Sequence, residues 1–217
     1  MSDIKIPPLR IEPGMGGFTL CFFGSSKSGK TTLMMAIYKK MFDRVRYIST
    51  LFSVNSQIEA YNGTKYLIRS SQFGAEEARY IRAQKYVNFK TKNKYKFLIM
   101  LDDFIDIRYS SILNNLILTY RNSNISTMLC LQYAHLLSKQ ARSNINGVVF
   151  LHCNSYEARE GLLKIYLAPL FKRMGIHNKE WDTTYQYYTA NHNYLYLHVT
   201  SDTLWSSLQN KYLVQDS

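Results

Sequence analysis

The chain has 217 residues, 46% of them hydrophobic, and carries 27 Lys and Arg against 15 Asp and Glu, a formal charge of +12. That apolar share excludes a disordered chain, and the length suits one α/β domain with a sizeable core. The charge fits a polyanionic partner larger than a single nucleotide, nucleic acid above all, although an ordinary basic protein has the same balance.

Cys21, Cys130 and Cys153 fall in apolar stretches that read as strands, and no two make a C-x-x-C pair. Neither a zinc site nor a dithiol redox motif is indicated, and the thiols read as buried and reduced in a cytosolic compartment. No apolar run approaches membrane-spanning length, and the start lacks the pattern of a secretory signal. The expectation is a soluble protein without membrane insertion.

Residues 1–17 contain Pro7, Pro8, Pro13 and three glycines and read as an extended arm. The arm either lies on a neighbouring subunit or frays. Phe18–Phe23 reads as a strand, and Leu33–Tyr38 opens a helix expected to run to about Phe42. Between them Gly24, Ser25, Ser26, Lys27, Ser28, Gly29, Lys30, Thr31 and Thr32 match G-x-x-x-x-G-K-[ST] at every fixed position. Strand, glycine loop and helix is the context that motif requires. Successive backbone N–H groups of such a loop form an anion nest, and the helix start adds its own orphan donors. Lys30 supplies a charge for the β- and γ-phosphates, and the Thr31 hydroxyl is a ligand for Mg²⁺. The stretch reads as a nucleoside-triphosphate site.

Val45–Thr50 is expected as a second strand, which makes a right-handed βαβ unit, and Tyr66–Arg69 as a short third. Ala75–Phe89 reads as a helix. Arg79, Arg82 and Lys85 share one of its faces, with Tyr80, Tyr86 and Phe89 interleaved. These three basic residues are DNA-contact candidates able to track a phosphate backbone without reading sequence; the plainer reading is a solvated face. Lys96–Leu101 is a strand apolar enough to be buried on both sides, and it ends in Asp102-Asp103. Acids at the carboxyl end of a central strand sit where an open α/β sheet binds ligand. Asp102 is a candidate to hold Mg²⁺ and Asp103 to polarise the attacking water, against the alternative that they cap the helix expected over 107–118.

Arg121 precedes a strand at Ser126–Leu131, and Gln132 follows it. Gln132 is placed to meet a γ-phosphate or the attacking water. Six strand residues span roughly 20 Å at about 3.3 Å each, so Arg121 is too far from its own phosphates. It suits an arginine finger acting on an adjacent subunit, or equally a helix-terminal Arg paired with the helix dipole. Arg142, in a short polar segment after Gln132, is a second candidate for phosphate sensing, expected on the nucleotide side of the sheet. Val148–Cys153 reads as a strand and 157–171 as an amphipathic helix. Residues 185–199 alternate around Asn191-His192-Asn193 and read as a β-hairpin, and 201–217 as a tail. His135, His152 and His177 have no ligand spacing.

The Asn-Lys pairs do not continue as N-K-x-D, Asp102 does not begin D-x-x-G, and L-S-G-G-Q is absent. A GTPase and a transporter cassette are thereby disfavoured, leaving an additional-strand ATPase or a small phosphoryl-transfer kinase.

Gly24–Thr31, Leu101-Asp102-Asp103, Arg121 before a strand and Leu131-Gln132 closing it resemble the FtsK/HerA superfamily. Within it, the compact size and the Leu-Asp-Asp and Leu-Gln-Tyr segments resemble the genome-packaging ATPases of large DNA viruses of the poxvirus type and of virophages. Arg142-Ser-Asn144 and the aromatic C-terminal stretch agree, and the resemblance covers roughly residues 18–200.

It implies a RecA-like (additional-strand) α/β P-loop NTPase with a mainly parallel central sheet flanked by helices and a C-terminal β-hairpin. The Gln132 strand would lie between the phosphate-loop and Asp102 strands. It further implies a hexameric or pentameric ring that uses ATP and Mg²⁺ to pull double-stranded DNA, without sequence preference, into a capsid. Capsid or portal proteins would be further partners, and the host-cytoplasm assembly site or the virion the location. Lys30, Asp103, Gln132, Arg121 and Arg142 would carry catalysis. Many members have Glu where Asp103 stands, and Asp is one methylene shorter. The competing functions are a nucleotide or small-molecule kinase and a non-motor protein that uses ATP to assemble.

Overall fold

The computed structural model describes residues 4–9, 17–41, 47–53, 67–69, 73–92, 96–102, 110–119 and 123–215. Its central strands are β1 (Thr19–Phe23), β4 (Lys96–Leu101), β5 (Ile125–Leu131) and β6 (Gly147–Phe150). Every residue of β1, β5 and β6 is buried, so both faces of the sheet must be covered. That is the condition under which parallel strands are stable.

With β2 (Tyr47–Ser53), β3 (Leu67–Arg69), β7 (Leu195–His198), β8 (Thr203–Ser206) and β9 (Lys211–Val214), the described residues form one nine-stranded sheet. Its order is β3-β2-β4-β5-β1-β6-β7-β8-β9. The strands from β3 to β6 in that order pair in parallel, and β7, β8 and β9 close the sheet antiparallel. As expected, the strand that ends at Gln132 lies between β1 and β4.

One face is covered by α1 (Lys30–Met41), which lays Leu33, Met34, Ile37 and Tyr38 against Leu20, Phe22, Met100, Met128 and Cys130. Lys39 and Lys40 fall in its last turn, where cations suit the helix dipole. The other face is covered by α2 (Phe73–Thr91), α3 (Ser110–Thr119), α4 (Lys139–Ser143), α5 (Tyr156–Leu162), α6 (Ala168–Arg173) and α7 (Trp181–Thr189). Ile81, Leu113, Leu116, Leu162, Leu170, Phe171 and Tyr185 from these helices join Phe23, Ile99, Leu129 and Phe150 in the second core. α5 and α6 run together through a π-helical turn at Leu163–Leu167. Pro169, in the first turn of α6, cannot donate its backbone nitrogen to the ladder, which accounts for the break.

The C-terminal part departs from the expected boundaries. Residues 185–189 are the end of α7, not the first arm of a hairpin. Tyr185, Tyr188 and Thr189 are buried at helical spacing, which a period-two reading of Tyr-Gln-Tyr-Tyr conceals. The antiparallel hairpin is present one step later, as β7 and β8. Residues 203–214, expected in a tail, are β8 and β9 of the same sheet, with Leu204 and Trp205 in its core. Cys153, expected within a strand, lies three residues beyond β6, buried nonetheless. The extended segment 4–9 lies against its own sheet: Lys5 donates to the Ser207 carbonyl and Tyr194 donates its hydroxyl hydrogen to the Lys5 carbonyl.

Candidate functional site: the phosphate loop and its surroundings

The loop leaves β1 at the carboxyl edge of the sheet and is anchored to both neighbouring strands. Gly24 donates its N–H to Leu131, the last residue of β5, and Ser25 donates to the His152 carbonyl beyond β6. Ser28 turns back to the Ser25 carbonyl. Gly24 has no room for a side chain: a Cβ there would lie 3.0 Å from Leu151 Cβ and 2.5 Å from Ser28 Oγ. Gly29 adopts φ +98° and Lys27 φ 63°. Left-handed residues within such a run point consecutive amides inward and make the anion nest. Gly29 then hands over to α1 at Lys30.

Lys30 is 4% exposed, and its ammonium donates to the carbonyls of Gly24 and Ser25 at 2.9 Å each. The cation is therefore held inside the loop by backbone acceptors. Thr31, one residue on, donates its hydroxyl to Asp102 Oδ1. Asp102 follows β4 and is 1% exposed. The strand order β4-β5-β1 brings it to the helix start from two strands away. Gln132, half-buried, follows the Leu131 carbonyl that accepts Gly24, so it sits beside the first loop residue.

Asp103 and Arg121 lie outside the described residues. Arg142 is on α4 and donates Nη1 to the Leu137 carbonyl at 3.0 Å. The chain beyond it returns to the amino end of β1, where Asn146 bonds Thr19. Arg142 is not among the residues that line the loop's cavity.

A cavity of about 630 Å³ opens over the loop. Ser26–Thr32 form one side of it; Ile4, Leu33, Leu151, His192 and Tyr194 contribute the rest. None of these five was read as a site residue in the sequence. Apart from Leu33, which directly follows the loop, they carry no spacing signal, because the fold collects them from positions nearly two hundred residues apart.

The loop's support behind β6 was also missed. Asn154 donates its N–H to Ser25 Oγ at 2.8 Å. Arg159 on α5 donates Nη1 to the Cys153 and Asn154 carbonyls at 2.8 and 2.9 Å. Its remaining edge meets Asp182 on α7, Nε to Oδ1 at 2.6 Å and Nη2 to Oδ2 at 3.2 Å. The Arg159 hydrogen bond, opposed by burial, holds the Asp182 carboxyl below its ordinary value and the guanidinium above its own. Burial pushes the Cys153 thiol and the Tyr185 phenol upward, so both stay neutral, with Tyr185 donating to the Leu151 carbonyl.

Away from the loop, Arg79, Arg82 and Lys85 are all exposed on α2, whose opposite face buries Ile81 and Gln84. Tyr86 and Phe89 are 63% and 80% exposed on the same helix, with Lys90 5.7 and 5.8 Å from their ring centres. Among the described residues no group of three or more His, Cys, Asp and Glu could hold a metal ion, and no helix is long and apolar enough to cross a membrane.

The fold is similar to that of the genome packaging NTPase B204 from Sulfolobus turreted icosahedral virus 2. The B204 complex with AMPPCP gives a TM-score of 0.58 at 11% identity, covering 87% of this chain and 95% of that one. The sulfate complex gives 0.59 at 13% identity, covering 87% and 94%. B204 from Sulfolobus turreted icosahedral virus, described as a DNA-packaging ATPase, gives 0.57 at 12% identity, covering 88% and 96%. No curated protein matches the chain. The family model described as Poxvirus A32 protein matches residues 14–168, which takes in the phosphate loop, Asp102, Gln132 and Arg159. The chain is a P-loop ATPase and belongs to the Poxvirus A32 protein family.

Proposed function

We propose that this ATPase is a ring-forming motor that moves double-stranded DNA into a viral capsid, each active site being completed by the neighbouring subunit. The observation that carries the reading is the Thr31–Asp102 contact beside a buried loop lysine, on the strand order expected of such a motor. The family match and the fold shared with the packaging NTPase B204 support it.

In this reading Lys30 and the amides of residues 24–32 hold the β- and γ-phosphates. Thr31 and Asp102 would hold Mg²⁺: a hydroxyl and a carboxylate in contact are the hard oxygen donors that ion prefers. Bound there, the ion would offset triphosphate charge and that of the buried carboxylate. Asp103 orients and polarises the attacking water, and Gln132 monitors the γ-phosphate from the end of β5. Arg121 reaches across to the adjacent subunit's phosphates as its finger, with Arg142 the alternative. Loss of the γ-phosphate loosens that interface and displaces the basic face of α2 along the DNA backbone. Arg79, Arg82 and Lys85 make those contacts, so binding is sequence-tolerant and strongly salt-dependent. The ring is a hexamer or pentamer and docks on capsid or portal proteins at the cytoplasmic assembly site.

The test is the rate of ATP hydrolysis with and without double-stranded DNA, at low salt and over a range of protein concentrations. DNA stimulation that grows with assembly is expected. A rate indifferent to DNA throughout, or transfer of phosphate to a small acceptor, overturns the motor in favour of an assembly ATPase or a kinase.

A further inference from the structure

The cavity over the phosphate loop has a second wall built from the two ends of the chain. Ile4, from the N-terminal segment, and His192 and Tyr194, from the turn before β7, both line it. Ser207 ties them together. It accepts the Lys5 ammonium on its carbonyl and the Tyr194 N–H on its hydroxyl, and that hydroxyl donates to Asn193. The Tyr194 hydroxyl in turn donates to the Lys5 carbonyl at 2.6 Å. Ile4 is 46% exposed, and the segment that carries it is held by these bonds and by Ile6 and Leu9, which pack against the core.

The turn itself is strained. Asn191 and His192 take φ 52° and 61°, two successive non-glycine residues in the left-handed region. Each costs about 1–2 kcal/mol, though Asn and His are among the residues that tolerate it best. The conformation is held by Asn193, whose backbone and side-chain N–H groups both donate to the Ala190 carbonyl at 3.0 Å. Its effect is to carry the imidazole to the loop: His192 Nδ1 lies 3.7 Å from where a Cβ on Gly29 would stand. Strain of this kind persists where the surroundings over-determine it, and such sites cluster at ligand clamps.

A nucleoside triphosphate has an anionic end and a flat, largely apolar end. The amides of Ser26–Thr32 and the Lys30 ammonium meet the first. The same cavity is lined by the exposed imidazole of His192 and the exposed Ile4, with the buried Tyr194 ring behind them, side chains that offer stacking and apolar surface. We infer that the Asn191–His192 turn and the Ile4 segment form the nucleobase end of this site, with the base lying against the His192 ring and Ile4 covering it. Nucleotide occupancy thereby ties the N-terminal segment to β7 and β8, the part of the sheet outside the parallel core. The inference rests on the phosphate loop binding ATP, and its test separates the two.

Full-length protein is titrated with ATP, ADP and inorganic tripolyphosphate, the last having charge but no base. Wild type, His192→Ala, His192→Phe, Ile4→Ala and Lys30→Ala are compared. Lys30→Ala reports the loop itself and weakens all three ligands. His192→Ala is expected to weaken ATP and ADP about tenfold, the scale of one lost base-stacking contact, while tripolyphosphate binds as to wild type. His192→Phe retains ATP affinity, because a flat ring is restored. Ile4→Ala, which alters an exposed side chain and cannot unfold the core, weakens ATP in the same selective manner to a smaller degree. The inference is overturned if His192→Ala weakens tripolyphosphate and ATP equally, which would place the imidazole on phosphate. It is equally overturned if neither His192→Ala nor Ile4→Ala changes the ratio of ATP to tripolyphosphate affinity.

Discussion

The Thr31 hydroxyl donates a 2.5 Å hydrogen bond to Asp102 Oδ1, joining the start of α1 to the end of β4 across two strands. Asp102 is almost wholly buried, and an ionised carboxylate in that position needs compensation. In the proposed reading a divalent ion held by Thr31 and Asp102 would contribute to it. Thr31→Ala and Asp102→Asn are each expected to lower kcat about a hundredfold, the scale for losing one preorganised contact at developing charge. Thr31→Ala should also raise the Mg²⁺ concentration at half-maximal rate. Unchanged Mg²⁺ dependence in Thr31→Ala would remove the metal role of this pair.

Gly24 and Gly29 make separable predictions. A Cβ at Gly24 meets Leu151 Cβ and the His152 carbonyl, neither of which can swing away. Gly24→Ala should therefore cost about 1–3 kcal/mol in stability, as overpacking does, and displace the loop from β6. Gly29 has space around it but a left-handed backbone. Gly29→Ala should cost about 1–2 kcal/mol of local strain and weaken ATP binding more than it lowers the melting temperature. Thermal unfolding paired with ATP titration distinguishes the two.

Much of this site was legible before folding because its chemistry is local. Gly24–Thr32 and Leu101-Asp102 are contiguous, and the apolar run before Asp102 marks a strand buried on both faces. The family resemblance, not these runs, implied that the Gln132 strand lies between the phosphate-loop and Asp102 strands, as it does. His192, Ile4 and Asn154 were illegible because the sheet alone makes them neighbours of the loop. Tyr185 misled for another reason: in a stretch dense with tyrosine, helical and strand periods both fit. Its burial at the floor of α7, donating to Leu151, settles which period the fold uses.

The Arg159–Asp182 pair should behave as a brace for the loop. Arg159 holds the Cys153 and Asn154 carbonyls, and Asn154 holds Ser25. Asp182→Asn is expected to cost about 1–2 kcal/mol, a charge-assisted bond discounted for partial exposure. The Asp182 pKa is lowered in the fold from 3.8, chiefly by Arg159. Its contribution is thus full above the unfolded value and lost as pH falls through the folded one. The gap in melting temperature between wild type and Asp182→Asn should be constant near neutrality and shrink in the acid range below that value. A gap independent of acid pH would mean the pair acts through shape alone.

The basic face of α2 can be tested without touching hydrolysis. Arg82 and Lys85 are exposed and far in sequence from the loop residues. Arg82→Glu with Lys85→Glu should weaken DNA binding alike for all sequences and leave DNA-free ATPase unchanged. If each side chain neutralises one phosphate, the slope of log affinity against log salt should fall by about 1.8. Phe89→Ala is a useful companion, since that ring is largely exposed and contributes little to the core. An unaltered salt slope in the double variant would move the DNA surface elsewhere.

Whether two subunits share a site is decided by complementation. Lys30→Ala destroys the loop but leaves that subunit's Arg121; Arg121→Ala does the reverse. Each homogeneous ring should be inactive. In a one-to-one mixture assembled at random, about one interface in four pairs an intact loop with an intact finger, since head-to-tail contacts combine different faces of neighbours. Hydrolysis should therefore return to about a quarter of the wild-type rate if sites act independently, and to less if they must fire in succession. Recovery should follow the product of the two mole fractions as the ratio is varied. The same series with Arg142→Ala in place of Arg121→Ala shows which arginine crosses the interface. If neither arginine variant is rescued at any ratio, the site is complete within one subunit, and the mechanical coupling proposed for the ring loses its physical basis.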